Sequence, residues 1–222
     1  HIKLYNSGNF FDAQAIPPED YVAIIQRVQR FDTVIVENHP RLCGPVVTDF
    51  ARALGTQMEV AMGLETIHPE VLPRLNKRMT LEDFDSACDR LRPSGILIRV
   101  FLMLRPPFLS EAEGVEWAIR SAEYAFDRGA DCVSLIPARG GNGLLERLAS
   151  QGLFAPPSLE AVETAFDQLL ALRKGRVFVD LWNASTWTQH EPEAATRIAR
   201  LERMNRTQIP EQNLDINVHS SW

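Results

Sequence analysis

Six short runs rich in Val, Ile and Leu alternate with longer amphipathic segments, and this alternation limits the fold more than any other feature. The runs cover residues 2–7, 32–38, 57–65, 96–104, 131–138 and 176–182. Between them, residues 17–30, 45–55, 68–78, 80–95, 110–129, 143–152 and 158–175 carry helical patterns. Strand–helix alternation at this spacing predicts βαβ units and a parallel sheet. The run "ILIRVFLML" (96–104) is apolar at nearly every position, as a parallel strand covered on both faces requires. Thr80 begins a Thr-x-x-Asp capping pattern, Ser110 opens the long helix, and Gly55 closes an earlier one. Six strands are too few for an eight-stranded barrel, which leaves a partial barrel or an open doubly wound sheet. One more helix is expected over 191–205, before a polar tail. The predicted division is therefore an α/β unit over 1–182 and a C-terminal helix and tail over 183–222.

Composition narrows the setting. A chain of 222 residues buries a substantial core. Its formal net charge of −6 excludes a surface that is basic throughout, though not a local basic groove. No apolar run is long enough to span a bilayer, so no membrane partner is expected. The first residues also lack the pattern of a signal peptide. Cys43, Cys88 and Cys132 are odd in number and far apart, which predicts buried free thiols in a reducing cytoplasm rather than disulfides. His39, His68, His190 and His219 show no i, i+4 pairing, so no metal site is expected from them.

Parallel α/β folds bind ligands at the carboxyl ends of their strands, and those ends are informative here. The first runs into Ser7, Gly8 and Asn9, the second into Glu37 and Asn38, and the third into "GLET" with Glu65. The later ends are "LMLRPPF", "IPARGGNG" and "DLW". Glu37 and Glu65 each follow an apolar run, which marks them as rim carboxylates with a site role. Lys77 and Arg78 read either as site cations or as a solvated helix end facing its carbonyls. "ARGGNG" before a helix reads either as a flexible loop or as an anion cradle.

"GLETIHPEVLPRLNKRMTLEDF" resembles radical S-adenosylmethionine enzymes of the elongator-catalytic-subunit and methylthiotransferase type. Those enzymes share a Gly, an apolar residue and Gln or Glu, then a helix ending Asn-Arg/Lys and a Thr-capped helix. The resemblance covers residues 2–182. "LYNSGNFFDAQAIP", "VIVENHP", "FLMLRPPFLSEAE" and "VSLIPARGGNGLLERLASQGLFAPPSL" are similar to one branch, which includes the archaeal radical enzyme of archaeosine biosynthesis. The resemblance implies a partial (β/α)6-type barrel of parallel strands with outer helices. It implies that Ser7, Gly8, Asn9 and Glu37 lie at the amino end of S-adenosylmethionine, Glu65 at its ribose and Lys77 at its carboxylate. Glu65 stands where many relatives have Gln, and Lys77 where many have Arg.

Such enzymes hold a [4Fe–4S] cluster on Cys-x₃-Cys-x₂-Cys, and Cys43, Cys88 and Cys132 do not form that loop. By the resemblance, the cysteine loop and a first strand precede residue 2 in a full-length parent. That parent uses S-adenosylmethionine and the cluster to make a 5′-deoxyadenosyl radical, with a tRNA base as the substrate the branch implies. The chain by itself is expected to be inactive and to hold no iron. Two alternatives stand beside this reading: a non-catalytic nucleoside-binding or interaction barrel, and an unrelated phosphate-binding lyase or isomerase using "ARGGNG". The helix 197–206 offers four arginines to a phosphate backbone, or simply a solvated face.

Overall fold

A computed structural model describes residues 1–5, 8–141 and 143–211. Six strands form one sheet: β1 (Ile2–Leu4), β2 (Thr33–Glu37), β3 (Gln57–Glu65), β4 (Leu97–Leu104), β5 (Cys132–Pro137) and β6 (Arg176–Val179). The helices are α1 (Tyr21–Val28), α2 (Pro45–Leu54), α3 (Val71–Arg74), α4 (Leu81–Leu91), α5 (Glu111–Asp127), α6 (Leu144–Ser150), α7 (Leu159–Ala171), α8 (Ala184–Trp187) and α9 (Ala194–Thr207).

Every strand pairs in parallel with its sequence neighbour, in the order β1-β2-β3-β4-β5-β6. A doubly wound sheet reverses its strand order at a switch point, and this one does not. The sheet is therefore a half-barrel. Its outer side chains, among them Val34, Val60, Ile98, Val100 and Val133, are fully buried beneath Phe50, Phe84, Ala122 and Phe166. Both predicted caps form as full capping boxes, Thr80 with Asp83 and Ser110 with Glu113, which explains why α4 and α5 start where they do. At Gly114, an added Cβ would lie 2.8 Å from the Arg105 Cα, so α5 crosses the exit of β4 at a distance only glycine permits.

The segment 68–78 is helical only over α3. His68 Nδ1 accepts from the Glu70 and Val71 amides and holds the helix start back. Asn76 and Arg78 then take positive φ angles of 54° and 52°, and the chain turns back towards the sheet. The short α8 was not expected from sequence. Among the described residues, no helix is long and apolar enough to cross a membrane.

A candidate nucleoside seat at the strand ends

β3 ends in a bulge. Gly63 pairs with Phe101 and Glu65 with the adjacent Leu102, so one residue of β3 is extra at this point. The Thr66 amide returns to the Leu64 carbonyl at 2.8 Å, which closes a three-residue turn centred on Glu65. Glu65 sits there at φ 64°, in a region non-glycine residues seldom occupy. Its carboxylate folds back over Gly63, where an added Cβ would meet Glu65 Oε1 at 2.7 Å. The glycine before the carboxylate is thus part of its seat.

Glu65 Oε1 bonds Lys77 Nζ at 2.8 Å. Glu65 is 8% exposed, so the pair joins a buried carboxylate to a half-exposed cation. His39 fixes the Lys77 backbone. Its Nε2 lies 3.0 Å from the Lys77 carbonyl, while its Nδ1 accepts the Arg41 amide. A carbonyl only accepts and an amide only donates, so the ring carries its proton on Nε2. Arg41 reaches the Arg78 carbonyl as well. Of the Lys-Arg pair, it is Lys77 that turns to the carboxylate.

Glu37 at the end of β2 belongs to the same cluster. Burial pushes its carboxyl above the usual range, the Lys77 cation pulls it down, and the Glu65 charge pushes it up. Beside it, the Phe10 amide donates to the Glu37 carbonyl at 2.8 Å, and the Phe11 amide to Asn38 Oδ1 at 3.2 Å. Phe10 and Phe11 are locked into an aromatic group with Tyr21 and Phe50. This anchor carries the half-buried Gly8 and Asn9 to the rim next to Glu37. Ser7 lies outside the described residues. Glu37, Glu65 and Lys77 are therefore brought together, with Gly8 and Asn9 tethered alongside.

Sequence reasoning missed two groups. His39, which shows no metal-ligand spacing in the sequence, serves as a clamp. The concave face holds an ionic layer in which Glu59, 1% exposed, bonds Arg99 at 2.6 Å and Arg176 at 2.9 Å, and Arg99 also reaches Ser134. These side chains line an open cavity of about 990 Å³ along the inner strands. The signal was available: Glu59 and Arg99 are single charges inside otherwise apolar runs, a pattern seen when one strand face lines a lumen.

The other features of the sequence resolve differently. In "ARGGNG", the carboxylate of Glu146 takes the Gly141 amide, so the chain's own anion occupies that position. On α9, Arg197 pairs with Glu163, Arg200 with Asp167 and Arg203 with Glu211, so three of the four arginines are committed to internal ion pairs. Burial raises the thiols of Cys43, Cys88 and Cys132 to about 11, 12 and 11. They sit on separate elements, and thiols held protonated are poor iron ligands. These three residues do not fit an iron–sulfur cluster.

No protein-family model matches the sequence. The archaeosine synthase beta subunit of Methanosarcina acetivorans is 32% identical over 168 residues, covering 72% of this chain and 48% of that protein. The same subunit from Thermococcus kodakarensis is 31% identical over 73% of this chain and 52% of its own length. Among solved structures, Elp3 of Methanocaldococcus infernus aligns with a TM-score of 0.57 at 22% identity, over 67% of this chain and 34% of Elp3. The coproporphyrinogen III oxidase HemN of Escherichia coli, a radical SAM enzyme, aligns with a TM-score of 0.51 at 16% identity over 72% of this chain and 37% of its own. The structural likenesses establish the half-barrel. In sequence the chain is similar to archaeosine synthase beta subunits, and in fold to Elp3 and HemN. It spans about half the length of the curated relatives it matches.

Proposed function

We propose that the chain is the cofactor-seating portion of a radical S-adenosylmethionine enzyme that acts on a tRNA base in the cytoplasm. The observation that carries this reading is the Glu37–Glu65–Lys77 cluster at adjacent strand ends. S-adenosylmethionine presents an amino group, a carboxylate and a ribose diol. A site for it needs carboxylate acceptors, one cation and exposed peptide groups. Glu37, with the chain at Ser7, Gly8 and Asn9, takes the amino end; Glu65 accepts from the ribose; Lys77 pairs with the carboxylate. Lys77 already holds one carboxylate, so it is pre-oriented for a second.

When bound beside a reduced [4Fe–4S] cluster, this cofactor supplies radical chemistry. Cys43, Cys88 and Cys132 do not fit as the ligands of that cluster. What the chain contributes is binding and orientation. The buried Glu65 and the glycine-floored bulge fix the nucleoside end of the cofactor. The tRNA substrate follows from the archaeosine synthase relatives and is part of the proposal.

Glu65→Ala and Lys77→Ala should each weaken S-adenosylmethionine binding about ten-fold or more, since each removes a charged hydrogen bond. Isothermal titration calorimetry of the complete enzyme checks this, and unchanged affinity in both variants would remove the assignment.

A further inference from the structure

Trp182 is 70% exposed, the most exposed large apolar side chain among the described residues, and it follows the last strand at the carboxyl-end rim. It is not a loose surface residue. Asp180 Oδ1 accepts the Trp182 amide at 2.9 Å, and Asp180 Oδ2 accepts from Arg139, which follows β5. The Arg139 guanidinium carbon lies 5.6 Å from the centre of the indole ring. Arg139 Nη1 is buried and has no hydrogen-bond partner among the described residues. Asp180 also lines the 990 Å³ lumen, and its bonds to Arg139 and to the Trp182 amide hold both residues beside that opening. Along the sheet they lie three strands beyond the Glu65 end of β3, roughly 15 Å at the usual strand spacing.

A ligand that completes this group carries a flat ring for the free side of the indole and an acceptor oxygen for Arg139. A ring N–H on the same ligand also finds an acceptor in Asp180, whose carboxylate has acceptor positions to spare. A nucleobase meets all these demands, and base-on-indole stacking tolerates different bases because each has a π face. A plain phosphate leaves the indole unused, and an aliphatic ligand leaves Arg139 Nη1 without an acceptor. We infer that Trp182, Arg139 and Asp180 form a nucleobase subsite at the lumen mouth, separate from the Glu37–Glu65–Lys77 seat. The inference rests on the proposed reading only in taking the base to be part of an RNA strand.

The test is fluorescence anisotropy of a labelled single-stranded RNA decamer titrated with the 222-residue chain, with unlabelled decamer and free guanosine monophosphate as competitors. Trp182→Ala should weaken binding about ten-fold or more, and Trp182→Phe should keep most of the affinity, because a ring is what is needed. Arg139→Gln should weaken it as well. Competition by the mononucleotide at similar concentrations would mark the ligand as a free nucleotide; competition by the decamer alone would mark it as a strand. Trp182 is exposed, so its removal should leave the circular dichroism spectrum unchanged. An RNA affinity equal in wild type and Trp182→Ala, or no binding by the wild type, overturns the subsite. Calorimetry with S-adenosylmethionine separates the two readings: Trp182→Ala should leave that affinity unchanged, and only the Glu65 and Lys77 variants bear on it.

Discussion

Glu65 adopts a backbone conformation that costs free energy, and at such a position the cost points to a role. A strand could end without a bulge, a positive φ or a carboxylate pressed over a glycine. This one has all three, and the result is a buried acceptor facing Lys77. Glu37 shows the same tension in its titration. The folded chain holds the Glu37 proton more tightly than the unfolded chain does, because burial and Glu65 disfavour its charge. Its contribution to stability is therefore full below the ordinary carboxylate range and lost as pH rises through the raised value. At neutral pH the ionised Glu37 is a strain that a bound cation relieves. Glu37→Gln should accordingly melt at a higher temperature than wild type at pH 7, with the difference vanishing in acid, and should bind S-adenosylmethionine less well. Thermal melts at the two pH values check the first part; identical melting temperatures at pH 7 would show that Glu37 carries no such strain. These residues were legible in the sequence because carboxylates right after apolar runs have few structural reasons to be there. That Lys77 rather than Arg78 meets Glu65 was not legible, since it depends on the left-handed residues at 76 and 78.

At the scale of elements, the half-barrel leaves β6 as an edge strand, and α9 deals with it. Asn205 accepts the Val179 amide and donates to its carbonyl, both at 2.9 Å. Gln208 does the same to Val177, both at 2.8 Å. Two side-chain amides thus stand in for a seventh strand, saturating groups that would otherwise invite pairing with another chain. Double substitution Asn205→Ala/Gln208→Ala should cost about 1–3 kcal/mol for each pair of backbone groups left unmet. Urea denaturation should record that loss, with aggregation rising as the edge opens; an unchanged midpoint would show that water replaces the amides at no cost. The pattern predicts the helix itself, and its arginines read from sequence either as a phosphate-contacting row or as a solvated face. Arg197 and Arg200 prove to be tied to Glu163 and Asp167 of α7, neighbours in space and not in sequence, and Arg203 to Glu211 just beyond the end of its own helix.

Across the whole molecule, the concave face is held by a charge layer and not by a packed apolar core. Glu59 is shared by Arg99 and Arg176 from strands one and three positions away in the sheet, so three strands are joined by one carboxylate. Glu59→Gln should leave Arg99 buried without its counter-charge and destabilise the fold by about 3–5 kcal/mol. Chemical denaturation measures it, and a loss below about 1 kcal/mol, the range of exposed pairs, would mean that water already screens the layer. The alternation of apolar runs and amphipathic helices determined the α/β class, the parallel pairing and nearly every element, because each depends on periodicity within a short window. The caps at Thr80 and Ser110 and the rim carboxylates Glu37 and Glu65 were equally local. Only the tertiary structure decided between a half-barrel and a doubly wound sheet, because strand order is a relation between segments far apart in the chain. The lumen charges, the His39 clamp and the Trp182–Arg139–Asp180 group at the lip depended on it too. Each joins residues from different strands or loops, and no sequence window contains the curvature that brings them together.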